Sequence, residues 1–311
     1  MNFIERKYFG AKLEPVKTVL HGAGQDLDSF MRYAEVFPRD QQPAVYMTYI
    51  GVAGDSARVM EWGERLQREC EAIGKHGLSL QIGLNMTGGN DQGIGMEDVV
   101  ARGEKDDNLA LVCDSLERIA LPAYVRIGYE FEGNWNGYRP KTYREAFVHV
   151  TKMMRQRQLN AATVWCSAGA SAGALSLGDL MTYYPGDEWV DWWGIDTFDA
   201  AEMTSRATRH FCEAAGEHGK PVMIGEATPR GIGVLGGRAS WEAWFAPFFA
   251  LIRQQPEIKL FSYINWDWAH WSDVLGFEWH DWEDCRIEQN AVVEGNYLAE
   301  MGSDLYEHRA A

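Results

Sequence analysis

The run AYVRIGYEF, residues 123–131, decides how the chain is read. Its β-branched and aromatic residues predict a strand. Seven other runs read the same way: KTVLHGAG (17–24), PAVYMTYI (43–50), LSLQIGLNM (78–86), AATVWCSAG (161–169), VDWWGIDTF (190–198), KPVMIGEA (220–227) and IKLFSYINWDW (258–268). Stretches with helical spacing follow them at 27–37, 56–77, 107–120, 142–157, 203–219, 240–255 and 293–307. Eight strands alternating with helices predict an α/β fold, a (β/α)8 TIM barrel, as a single domain over residues 1–311. A doubly wound sheet competes, but no GxGxxG or P-loop opens a helix here.

The net charge is −16, which argues against nucleic acid and against an anionic membrane surface as partners. No apolar run approaches the length of a membrane span. The N-terminal MNFIERKYFGAKLEPVK lacks an apolar core, so no signal peptide is expected. A cytoplasmic location follows for the chain as it stands, or secretion if a signal has been removed. The five cysteines are widely spaced, with no CxxC or Cys/His cluster. Free thiols are the simplest reading; no metal and no cofactor is expected. Thirteen tryptophans, with as many tyrosines and phenylalanines, are an unusual supply of flat faces. Such faces either pack a core or stack on sugar rings.

Active sites of such barrels lie at the C-terminal ends of the strands. The polar and aromatic residues there are few: His21 to Gln25, Thr48 and Tyr49, Asn85, the pair Glu130 and Glu132, Trp165, Asp196, Glu226, and Asn265 to Trp268. Strand alternation puts Arg126, Gly128, Glu130 and Glu132 on one face. A buried Arg126 needs a carboxylate partner, and it is placed to orient one and keep it ionised. Glutamates ending strands 4 and 7, Glu130 and Glu226, then sit nearly opposite or adjacent across the barrel mouth. Two carboxyl groups so placed can cleave a glycosidic bond, with retention or inversion set by their separation.

These residues resemble a known family. RIGYEFEGNW (126–135) is similar to the strand-4 motif of glycoside hydrolase family 26, YYPGDEWVDWWGID (183–196) to its approach to strand 6, and KPVMIGEA to its strand 7. The resemblance implies Glu130 as acid/base, Glu226 as nucleophile, Arg126 as support of the nucleophile and Trp135 as a wall of the cleft. Three positions depart from the pattern. Tyr129 stands where the family has His, Glu132 where it has Asn, and Phe198 where many relatives have a Tyr that bonds the nucleophile. Tyr183, Tyr184 or another group serves in place of that Tyr, or none does.

Substrate contacts are expected from Tyr49, Tyr129, Trp135 and Trp165, and from an aromatic floor at Trp266 or Trp268, of which Trp266 is favoured. Asp196 either bonds substrate or holds Arg126. Glu132 either raises the pKa of Glu130 by repulsion, binds hydroxyls, or pairs within its loop. His21 either meets a sugar hydroxyl or sits in a hydrogen-bonded turn. The loop with Trp271, Trp279 and Trp282 either walls a subsite or does not. The expected function is a retaining glycoside hydrolase acting on a β-linked carbohydrate. A transglycosidase using the same site and a non-catalytic carbohydrate-binding barrel are the alternatives.

Overall fold

The computed structural model describes residues 5–88, 94–169, 173 and 176–309; the Gly/Ser-rich loop expected after strand 5 lies largely outside them. Strands and helices follow the predicted alternation. β1 (Val19–Gly24) leads to α1 (Leu27–Glu35), and β2 (Val45–Gly51) to α2 (Ser56–Ile73). β3 (Ser79–Asn85) is followed by α3 (Glu97–Ala101) and α4 (Asp106–Ile119), and β4 (Ala123–Ile127) by α5 (Pro140–Gln156). Next come β5 (Ala161–Ser167), α6 (Leu177–Met181), β6 (Trp192–Thr197), α7 (Arg206–Glu217) and β7 (Val222–Ala227). A short α8 (Arg238–Ser240) continues through a π-helical turn into α9 (Ala246–Gln254), where Pro247 removes one backbone donor. β8 (Ile258–Ile264), α10 (Trp268–Leu275), α11 (Ala291–Met301) and a two-residue β9 (Tyr306–Glu307) complete the described chain.

β1 to β8 pair in parallel in sequence order, and β1 pairs with both β8 and β2, so the sheet closes into a (β/α)8 barrel. β9 pairs with Val19 and Leu20 at the start of β1. Arg309 N then donates to Gln42 O just before β2, so the tail closes the seam at the bottom of the barrel. The barrel interior is filled by Tyr124, Val164, Trp192, Met223 and Leu260 among others, while a larger apolar layer lies between strands and helices. Asp26 and Asp55 cap α1 and α2 through their side chains, as acidic residues do at helix starts. All five cysteines are free and buried, in keeping with the thiol reading.

Two strands end earlier than the alternation suggests. β4 stops at Ile127, because Gly128 (φ 56°) and Glu130 (φ 53°) are both left-handed. Glu130 and Glu132 therefore sit on a turn, not on the strand face assigned to them. β8 stops at Ile264, and Asp267 caps α10, so Trp268 is helical and shares no strand face with Trp266.

Candidate active site

The centre of the barrel mouth is one guanidinium shared by two carboxylates. Arg126, on β4, is fully buried and donates from Nη1 to both oxygens of Asp196 on β6 at 2.9 Å. Its Nη2 donates to Glu226 Oε1 on β7 at 2.5 Å. Two local features make this possible. Between Ile224 and Ala227, β7 carries one residue more than both neighbouring strands, a bulge that re-aims the side chain of Glu226. Gly225 beside it leaves room, since a Cβ there would lie 2.6 Å from both Arg126 Nη1 and Asp196 Oδ1. The Arg126 guanidinium also lies 4.7 Å from the centre of the Tyr129 ring, a cation–π contact.

Glu130 faces this cluster without a cation of its own. Its Oε2 accepts a 2.8 Å hydrogen bond from Trp135 Nε1. Burial raises its pKa well above the ordinary value, and the negative charges of Glu226 and Asp196 push the same way. The Arg126 charge and the Trp135 bond oppose this but are the weaker effects. Three carboxylates around one guanidinium cannot all be ionised cheaply: burial raises Asp196 as well, with Arg126 opposing and Glu226 adding to it, and Glu130 is the one of the three that the guanidinium does not touch. The site thus offers a carboxyl in contact with a cation beside a carboxyl whose pKa is raised.

Both glutamates line a cleft of about 480 Å³. Gln25, Asn85 and Asn136 supply polar groups to it, Tyr49, Tyr129 and Trp135 border the acids, and Phe198, Trp268, Phe277, Trp279 and Trp282 make an aromatic wall. Arg230 also faces the cleft. It is held by Asp199 through Nε at 3.0 Å and Nη2 at 2.5 Å, and lies 5.0 Å above the Trp282 ring.

Several expected contacts lie elsewhere. Arg126 and Asp196 are fully buried and bind each other, so neither lines the cleft. Trp165 is in the core, stacked on Phe131 at 4.6 Å. His21 is in the lower part of the molecule, bonded to Tyr33 and His308. Trp266, the favoured floor, turns away to bond Asp26 and stack on Trp271, and Trp268 takes the place at the cleft. Glu132 is buried against the end of β5 and does not line the cleft, and Glu226 and Asp196 supply the repulsion on Glu130. The hydroxyls of Tyr183 and Tyr184 bond Tyr138 O and Asp187, and Phe198 leaves Glu226 without a tyrosine bond from that strand. The loop after β8 does wall the cleft, through Trp279 and Trp282, whereas Trp271 does not.

Arg230, Asn136 and Phe277 escaped the sequence reading. Arg230 follows β7 by three residues and could have been found by listing loop residues as well as strand ends. Asn136 carried no signal for its role: its Nδ2 donates to Tyr129 O and Glu130 O and closes the turn. Among the described residues no group of three His, Cys, Asp or Glu could hold a metal ion, and no helix is long and apolar enough to cross a membrane.

The fold and site define a (β/α)8 barrel with paired carboxyl groups in an aromatic cleft at its C-terminal face. The glycosyl hydrolase family 26 model matches residues 100–230, so the resemblance carried by the strand 4, 6 and 7 motifs holds. A β-1,3-xylanase from Alcaligenes sp is 27% identical over 301 residues, covering 89% of this chain and 62% of that protein. A β-1,3-xylanase from Vibrio sp is also 27% identical, covering 89% and 63%. The chain therefore spans less than two thirds of the length of these relatives. Among solved structures, a modular endo-β-1,4-mannanase from Cellulomonas fimi superimposes with a TM-score of 0.61 at 17% identity, over 93% of this chain and 71% of that one, which shows the shared fold.

Proposed function

We propose that the protein is a retaining glycoside hydrolase of β-linked polysaccharide, working as one catalytic barrel domain. The observation that carries this is the unequal treatment of two glutamates in one cleft. Glu226 is gripped by Arg126, and Glu130 is left without a cation and with its pKa raised. A Glu226 oxygen attacks the anomeric carbon as the bond to the leaving oxygen breaks, and Glu130 gives that oxygen its proton. Glu130, now a carboxylate, takes a proton from water. The water oxygen attacks the same carbon and the ester to Glu226 breaks. The aromatic wall holds sugar rings by their apolar faces. The relatives aligned over most of the chain bear the name β-1,3-xylanase, which makes β-1,3-xylan the first polymer to test, with β-1,4-mannan second.

Glu226→Ala is expected to lower kcat/KM by roughly 10³-fold or more. With an activated aryl glycoside, azide then replaces the missing nucleophile and yields the glycosyl azide of inverted configuration. Undiminished hydrolysis by this variant, or an azide product of retained configuration, overturns the assignment.

A further inference from the structure

Two residues beyond Glu130 stands a carboxyl group that the cleft does not use. Glu132 is buried and crosses from the turn after β4 to the end of β5. Its Oε1 accepts hydrogen bonds from Ser167 Oγ and from Ala168 N, the latter at 2.9 Å. Its Oε2 is buried with no hydrogen-bond partner among the described residues. Ser167 is itself fixed, since its Oγ accepts from Gly169 N at 3.1 Å.

The turn that Glu132 ties down is the one that presents Glu130. Glu130 has φ 53°, a conformation that disfavours a side-chain-bearing residue and needs the surroundings to impose it. Glu130 N donates to Cys166 O at 2.8 Å, joining the turn to β5 through the backbone. Phe131, between the two acids, is fully buried against Trp165. Glu132 adds the side-chain link to the same strand end. We propose that Glu132 is a positioning residue, which, through Ser167 and Ala168, locks the Glu130 turn onto β5 and so keeps the Glu130 carboxyl aimed at the leaving oxygen. This rests on the reading of Glu130 as the proton donor. Burial pushes Glu132 up to about 7, so in weakly acidic solution it is a neutral group whose Oε1 accepts as a carbonyl would. A glutamine can make the same two bonds.

The test exploits leaving-group chemistry. A sugar leaving group needs the proton from Glu130, whereas dinitrophenolate leaves without one, and kcat/KM reports only the steps up to that departure. Wild type, Glu132→Ala, Glu132→Gln, Ser167→Ala and Glu130→Ala are compared at pH 6 on β-1,3-xylotetraose and on 2,4-dinitrophenyl β-xylobioside, or on the matching mannosides if the wild type cleaves those. E132A is expected to lose about 10²-fold in kcat/KM on the oligosaccharide and only a few-fold on the dinitrophenyl glycoside. E132Q should restore most of the loss, and S167A, which keeps the Ala168 bond and perturbs folding less, should show a smaller loss with the same substrate bias. Equal losses on both substrates, or no loss on either, overturn the role of Glu132. If E130A itself shows no such bias, the reading of Glu130 falls and the role of Glu132 with it. A bias in E130A but not in E132A removes the inference alone.

Discussion

The two ends of the barrel hold buried titratable groups of opposite kind. At the mouth, Arg126 serves Asp196 and Glu226, with Glu130 in the field of both. At the bottom, His21 of β1 meets His308 just beyond β9, Nδ1 to Nδ1 at 3.1 Å. His308 Nε2 donates to Met301 O, His21 Nε2 lies 2.7 Å from the Tyr33 hydroxyl, and that hydroxyl donates to the Tyr297 hydroxyl at 2.8 Å. A hydrogen bond between two ring nitrogens needs one of them as an unprotonated acceptor, so the pair does not hold two imidazolium ions. Burial, and then the facing imidazole, hold His21 well below its ordinary pKa, and burial lowers His308 as well. The mouth carboxyls Glu130 and Glu132 thus bind protons more tightly in the folded chain than in the unfolded one, and the histidines less tightly. By linkage, the mouth costs stability as pH rises above about 4.5, and the bottom costs stability as pH falls below about 6.5. The difference lies in purpose: the mouth keeps a like-charge cluster that chemistry can use, while the bottom closes a seam.

The largest effect is expected from breaking the mouth cluster. Arg126→Met leaves Asp196 and Glu226 buried without their cation. Urea unfolding at pH 8 should show a loss of about 3–5 kcal/mol, shrinking toward pH 5 as the orphaned carboxyls take up protons. Activity should collapse with it. A deficit that does not change with pH would mean that the guanidinium packs rather than pairs, and the contrast between the two ends would lose its electrostatic basis.

Next in size is the Glu132 carboxyl. Raising it from 4.5 to about 7 costs the folded state about 3 kcal/mol once it is ionised. The unfolding free energy of E132Q relative to wild type should therefore climb by about that amount between pH 4.5 and 7 and stay level above. The slope is the diagnostic, because the glutamine amide brings a buried donor with its own fixed penalty. A flat difference across that range would show that water reaches Glu132 and that its burial is not the cause of the shift.

The rhythm of the fold was legible because periodicity survives in every strand. The centre of the site was legible for the same reason: Arg126 lies inside β4, where alternation holds, and it needed a carboxylate. What alternation could not supply was the geometry just past the strands. Two left-handed residues, Gly128 and Glu130, end β4, and they send Glu130 into the cleft and Glu132 into the wall behind it. The bulge that aims Glu226 depends on the register of three strands at once, which no single run of sequence encodes. Trp266 and Trp268 exchanged places because Asp267 begins a helix between them. His21 sits mid-strand, and its partner His308 is 287 residues away, so nothing local distinguished a seam from a sugar contact.

The smallest expected effect isolates that seam. His21→Phe keeps a ring of similar size over Phe261, which His21 stacks on at 5.4 Å, but removes both of its hydrogen bonds. Tyr33 and His308 each lose a partner in a buried site, and stability at pH 8 should fall by about 2 kcal/mol. At pH 5 the loss should be smaller, because the variant no longer has to keep that imidazole neutral when the unfolded chain would protonate it. Since His21 touches nothing at the mouth, kcat/KM of the folded variant should match wild type at either pH. A pH-independent loss would mean that the bottom is held by packing alone. A fall in kcat/KM would mean that the seam and the cleft are coupled along β1, whose far end delivers Gln25 to the cleft wall.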